Sequence, residues 1–78
     1  MEKQSDSDLA RRLGDQLRVA RGRMSQKELI DAVGDANMSY LSEVENGKTD
    51  VSVRMLSRYL QGCGWTLSRF FTEMEKRP

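Results

Sequence analysis

Ser39, Ser42, Glu43 and Asn46 stand at positions i, i+3, i+4 and i+7 of one short segment. On an α-helix this spacing gathers them into one continuous polar stripe. Serine and asparagine donate and accept hydrogen bonds, and a carboxylate accepts from an amino group. Such a stripe has the chemistry to read base edges in a DNA groove. Leu41 and Val44 lie on the opposite side, with Met38 near its edge. Serines are poor mid-helix choices unless they face something. A solvated helix face without a ligand is the plain alternative. Gln26 and Lys27 form a second polar set at the predicted start of the preceding helix. Free backbone N–H groups and the positive dipole end suit a phosphate there. Gln26 can also brace a reader side chain. Ser25 and Glu28 at the same place are explained by a capping box alone.

The elements that must position these groups follow from the apolar spacing, which is helical throughout. A first helix is predicted from Ser7 to about Arg21, with Leu9, Leu13, Leu17 and Ala20 on one face. Gly14 in its interior costs about 1 kcal/mol relative to alanine, which is tolerable where another helix packs closely. Gly22 ends it. The second helix is capped by Ser25, carries Leu29, Ile30 and Val33, and stops at Gly34. Asp35, Ala36 and Asn37 form a polar turn, and Asn37 caps a third helix from Met38 to Glu45. Asn46 and Gly47 stop that helix. A fourth is capped by Ser52 and runs from Val53 to about Gln61, with Val53, Leu56 and Leu60 inward and Met55 or Tyr59 flanking. Gly62, Cys63 and Gly64 then break the chain. Thr66 caps a fifth helix bearing Leu67, Phe70, Phe71 and Met74. Residues 1–78 are expected to form a single domain, with 1–6 and 75–78 as frayed tails. The second and third helices, joined by a tight glycine-bearing turn, form a helix-turn-helix element. In the DNA-binding form of that element the second helix enters the major groove.

Size and composition narrow the function classes. A chain of 78 residues lies near the lower limit for a self-sufficient core, and oligomerisation would add buried area. A single cysteine permits no internal disulfide, which fits a reducing cytosol. The absence of histidine removes the commonest general base and metal ligand. The sequence has no phosphate loop, no paired-carboxylate motif and no activated serine or cysteine. No enzyme, catalytic residue, cofactor or metal is therefore expected; Glu28, Asp31 and Asp35 lack a metal-site spacing. No apolar run approaches the roughly 18–20 residues of a membrane span. Met1 to Asp6 has no apolar region of the signal-peptide kind. A cytoplasmic protein with no membrane association is expected. The net charge is only +1, yet Arg11, Arg12, Arg18, Arg21, Arg23 and Lys27 cluster with Asp15 as the one acid among them. A phosphate-facing surface and a solvated helix face fit that cluster equally.

Residues 13–71 resemble the Cro/lambda-repressor-like, XRE-type helix-turn-helix family. The resemblance rests on Leu13-Gly14 with Leu17-Arg18 and Arg21, on Ser25-Gln26-Lys27-Glu28-Leu29, and on Gly34. It continues through Ser39-Tyr40-Leu41-Ser42-Glu43-Val44-Glu45-Asn46-Gly47-Lys48, Ser52 with Leu56, Gly64 with Leu67, and Phe70-Phe71. It implies an all-α fold, a compact five-helix bundle. It also implies that Gln26, Lys27, Ser39, Ser42 and Glu43 meet DNA, with Tyr40, Asn46 and Lys48 near the phosphate backbone. Glu45 resembles the family's structural acid, pairing with an arginine of the first helix, here assigned to Arg21. Two departures are visible. The turn between Gly34 and Ser39 is one residue longer than the family's, and Val51 stands where a proline is usual. Among family members the short chain resembles controller proteins of restriction–modification systems, small phage repressors and antitoxins.

The aromatic end of the chain suggests how copies would associate. Phe70 and Phe71 are adjacent on one short helix and cannot both face the same core. With Trp65, Leu67 and Met74 they are expected to form a self-complementary dimer patch. A monomer's core and rim is the alternative. Cys63 falls where the family places a core aliphatic and is read as a buried small hydrophobe. The sequence-level expectation is a transcription regulator that binds an inverted repeat of duplex DNA as a homodimer, without a small-molecule effector. The contrasting reading is a protein–protein adaptor or antitoxin built on the same scaffold.

Overall fold

A computed structural model describes residues 4–34 and 37–76. All regular structure among them is helical: α1 (Gln4–Arg21), α2 (Gln26–Val33), α3 (Met38–Glu45), α4 (Val53–Cys63) and α5 (Leu67–Lys76). α1 packs against α3, α4 and α5, while α2 packs against α3 and α4. The core gathers Leu17 and Ala20 of α1, Leu29 of α2, Leu41 and Val44 of α3, Leu56, Tyr59 and Leu60 of α4, and Phe70 and Met74 of α5. Every helix thus contributes one apolar stripe to a common interior.

The helix starts follow the sequence signals. The Ser25 hydroxyl accepts from Glu28 N at 3.0 Å and Glu28 Oε1 accepts from Ser25 N at 2.8 Å, closing the capping box. Asn37 Oδ1 accepts from Tyr40 N, Ser52 Oγ from Met55 N and Thr66 Oγ1 from Arg69 N, each at 3.0–3.1 Å. α1 begins at Gln4, earlier than the predicted Ser7. α5 continues to Lys76, so positions 4–6 and 75–76 are helical where frayed tails were expected. Lys76 in the last turn complements the negative dipole end. Asp35 and Ala36, where the lengthened turn falls, lie outside the described residues.

Several side chains sit differently from the periodicity. Leu9 is 48 % exposed and Ala10 takes its place in the interior. Leu9 instead rims an open hollow with Leu13, Asp50 and Val51. Val53 is 70 % exposed, because at the first position of α4 it lies beyond its helical neighbours. Val51, one residue before the cap, packs on the core in its stead. Tyr59 is fully buried rather than flanking. α4 runs through Gly62, where a break was predicted. A Cβ there would lie 2.8 Å from Leu29 Cδ1 and 3.4 Å from Val33 Cγ2. Gly62 is therefore the point where α2 and α4 approach closely, and a side chain is what the site excludes. The break falls at Gly64, whose φ of 79° is left-handed. Trp65 N then donates to Leu60 O at 2.9 Å.

Candidate nucleic-acid interface

α2 and α3 present the polar residues singled out above. Leu41 and Val44 bury one side of α3. Ser39 and Glu43 are exposed on the other, with Ser42 half-buried between them. Asn46 caps the C-terminal end and is exposed, as is Lys48 beyond it. The side chain of Asn46 is engaged: its Oδ1 accepts from Arg18 Nη2 at 2.6 Å. Tyr40 is half-buried, and its hydroxyl donates to the Asp50 carbonyl at 3.1 Å, tying α3 to the loop before α4. At the start of α2, Lys27 Nζ lies 3.3 Å from Asp31 Oδ2, one turn on. Both side chains are largely exposed, so this pair holds the ammonium only weakly and leaves it open to a phosphate.

The centre of the arrangement is Glu45, whose side chain is fully buried. A buried carboxylate needs several partners. Arg21 supplies two, with Nε 2.7 Å from Oε2 and Nη2 2.8 Å from Oε1. Gln26 Nε2 donates to Oε1 at 3.0 Å. Arg18 Nε stands 3.7 Å away. The remaining Arg21 nitrogen, Nη1, donates to Met24 O at 2.8 Å, fixing the bend between α1 and α2. One carboxylate therefore joins α1, the beginning of α2 and the end of α3. Gln26 has one N–H committed to it and keeps a second N–H and its carbonyl oxygen for other partners.

Sequence reasoning missed the Arg18–Asn46 bond and the link from Gln26 to Glu45. A signal existed: Arg18 and Arg21 are three residues apart on one face of α1. Which face of α3 they meet is a tertiary fact that the spacing alone does not carry.

The aromatic patch divides. Phe70 is 0 % exposed and Met74 is 7 % exposed, so both belong to the core and offer almost no surface to a second chain. This corrects their placement in the dimer set: α5 turns those two positions toward α1 and the rest of the interior. Phe71 is 39 % exposed and packs edge-on against Phe70, with ring centroids 5.2 Å apart. Trp65 and Leu67 are half-buried, and the Arg69 guanidinium stacks 3.8 Å above the Trp65 ring. Cys63 is half-buried rather than buried. Burial pushes its thiol up from the ordinary range, with Glu45 adding to the rise and Arg21 opposing it. Among the described residues no group of three potential ligands could hold a metal ion, and no helix is long and apolar enough to cross a membrane.

No family model matches the chain. A relative does: control protein C.MunI from Mycoplasma sp is 35 % identical over 72 residues, spanning 90 % of this chain and 97 % of the relative. The chain belongs to the restriction–modification control-protein family. This is a helix-turn-helix family of the Cro/lambda-repressor-like type, and membership makes the chain a DNA-binding regulator of transcription. The order and packing of α2 and α3 are consistent with a helix-turn-helix unit of that family type. The five-helix, all-α architecture agrees with that family type.

Proposed function

We propose that this control protein binds an inverted repeat of duplex DNA as a homodimer, in the cytoplasm, and reads sequence with α3. The observation that supports this most is the two-sided character of α3. Leu41 and Val44 are buried, while Ser39, Glu43 and Asn46 remain exposed on one stripe. Ser39, Ser42 and Glu43 take the base edges, where hydroxyls and a carboxylate discriminate between pairs. Gln26, Lys27, Tyr40, Asn46 and Lys48 lie along the flanking phosphates and fix orientation. Arg21 and Glu45 hold the scaffold. Association through Trp65, Leu67 and Phe71 places two copies of α3 about 34 Å apart, in successive major grooves. No effector is required: dimerisation makes operator occupancy follow protein concentration.

Selection from random duplexes tests this reading, followed by fluorescence anisotropy across a salt series. Enrichment of an inverted repeat, bound with affinity that falls steeply as salt rises, is the expected result. Failure to enrich any motif, with weak binding even at low salt, overturns it and leaves the fold as a scaffold for a protein partner.

A further inference from the structure

One line of residues along α1 carries the whole C-terminal end of the recognition helix. Arg11, Gly14, Arg18 and Arg21 fall at i, i+3, i+7 and i+10 and so share a face. Each touches a different part of the same short stretch. A Cβ on Gly47 would lie 3.0 Å from Arg11 Cα. A Cβ on Gly14 would lie 2.8 Å from Glu45 O and closer still to Val44 O. Arg18 bonds the Asn46 side chain, and Arg21 grips the Glu45 carboxylate with two nitrogens. The first two contacts are backbone against backbone, so no flexible side chain can swing aside. The other two are charge-assisted bonds, which hold geometry as well as energy. Arg18 and Arg21 also reach the negative end of the α3 dipole, where cations are favourable.

We propose that this face of α1 sets the tilt and depth at which α3 is presented to DNA, with Gly14 as the positioning residue. The inference rests on the proposed reading of DNA by α3. An alanine at position 14 has to push the last turn of α3 outward by about an ångström to restore ordinary contact with Val44 O. The first turn is held independently, by the Asn37 cap and the Tyr40–Asp50 bond. The helix therefore tilts, and the readers near its C-terminal end move more than Ser39. Hydrogen bonds to base edges weaken steeply with such misalignment. Phosphate contacts made by long, mobile lysines tolerate it. Gly14 thus acts on specificity through α3, without touching DNA.

The test uses the full chain and the site that the wild type selects from random duplexes. Affinity for that duplex and for a scrambled one is compared at fixed salt, at a temperature where circular dichroism shows each variant folded. Gly14→Ala is expected to lower the ratio of the two affinities by about tenfold, the loss that one misread base pair brings. Binding to the scrambled duplex stays as in the wild type. Gly62→Ala is the control: it crowds the α2–α4 contact, against the Leu29 side chain, and should reduce stability without moving the ratio. Arg21→Lys keeps the charge and loses the two-pronged grip on Glu45. It decides the matter if Gly14→Ala does not fold, and a fall in the ratio is again expected. An unchanged ratio in the folded variants overturns the positioning role alone. A wild-type chain that selects no site overturns the proposed function and this inference together.

Discussion

Glu45 and Tyr59 show two ways of burying a polar group. Taking a carboxylate out of water costs several kcal/mol unless it is paired and hydrogen-bonded. Glu45 meets that condition through Arg21 and Gln26. Removing one partner of such a pair leaves the other charge uncompensated. Arg21→Ala is therefore expected to cost about 3 kcal/mol and to lower the melting temperature followed by circular dichroism. An unchanged melting temperature would remove Glu45 from the scaffold. Tyr59 is the opposite case. Its hydroxyl is buried and has no hydrogen-bond partner among the described residues. Burial pushes its pKa up from 10.0 to about 12, aided by Tyr40 and Glu45 and opposed by Arg58. The folded chain holds the phenol proton more tightly than the unfolded chain does. That contribution is complete below pH 10 and is lost as pH rises through about 12. Tyr59→Phe removes an unsatisfied hydroxyl, so at neutral pH stability should hold or rise by up to about 1 kcal/mol. It should also flatten the alkaline loss between pH 10 and 12 relative to wild type, as read from denaturant midpoints. A clear drop at neutral pH would mean that the hydroxyl has a partner in solution.

At the scale of elements, α2 and α3 separate holding from reading. Leu29, Leu41 and Val44 are interior, and Glu43 is exposed. Glu43→Ala should thus leave the unfolding free energy within about 0.5 kcal/mol of wild type, as for surface positions without special contacts. It should relax base preference at one operator position, measured by repeating the selection. Identical selected motifs would place the reading residues elsewhere. Much of this layout was legible beforehand because local chemistry sets it. Ser25, Asn37, Ser52 and Thr66 act as caps wherever they are followed by helix-forming residues, and each does so here. What was not legible depends on neighbours. Gly62 reads as a breaker until Leu29 is seen against it. Val53 and Leu9 match an apolar period, yet both are exposed. Phe70 and Phe71 are indistinguishable by type, and only the seat of α5 against the core decides which is buried. The same holds at the interface: the stripe on α3 follows from spacing, whereas the bond between Arg18 and Asn46 needs the packing of α1 on α3.

For the whole molecule the question is how a chain of charge +1 would hold a polyanion. Part of the basic cluster is committed internally, since Arg21 serves Glu45 and Arg18 reaches Asn46. Arg11, Arg12, Arg23 and Lys27 are exposed. Two chains acting together would double the phosphates met and make the salt dependence steeper. The surface proposed for pairing is small, so its apolar residues carry most of the association. Phe71 is the exposed aromatic of that set, and its ring already leans on Phe70. Burying a phenylalanine fully is worth roughly 1.5–3 kcal/mol, and each 1.4 kcal/mol is about tenfold in affinity. Phe71→Asp loses that burial and sets two carboxylates near each other across a two-fold axis. The dimer dissociation constant from sedimentation equilibrium is therefore expected to rise by at least about tenfold. The monomer's helical signal should be retained, because position 71 lies outside the core. Operator binding should weaken in step and depend more steeply on protein concentration, since each half-site then has to recruit its own monomer. Unchanged dimerisation would exclude the α5 surface as the interface. Lost operator binding with dimerisation intact would instead place Phe71 in contact with DNA.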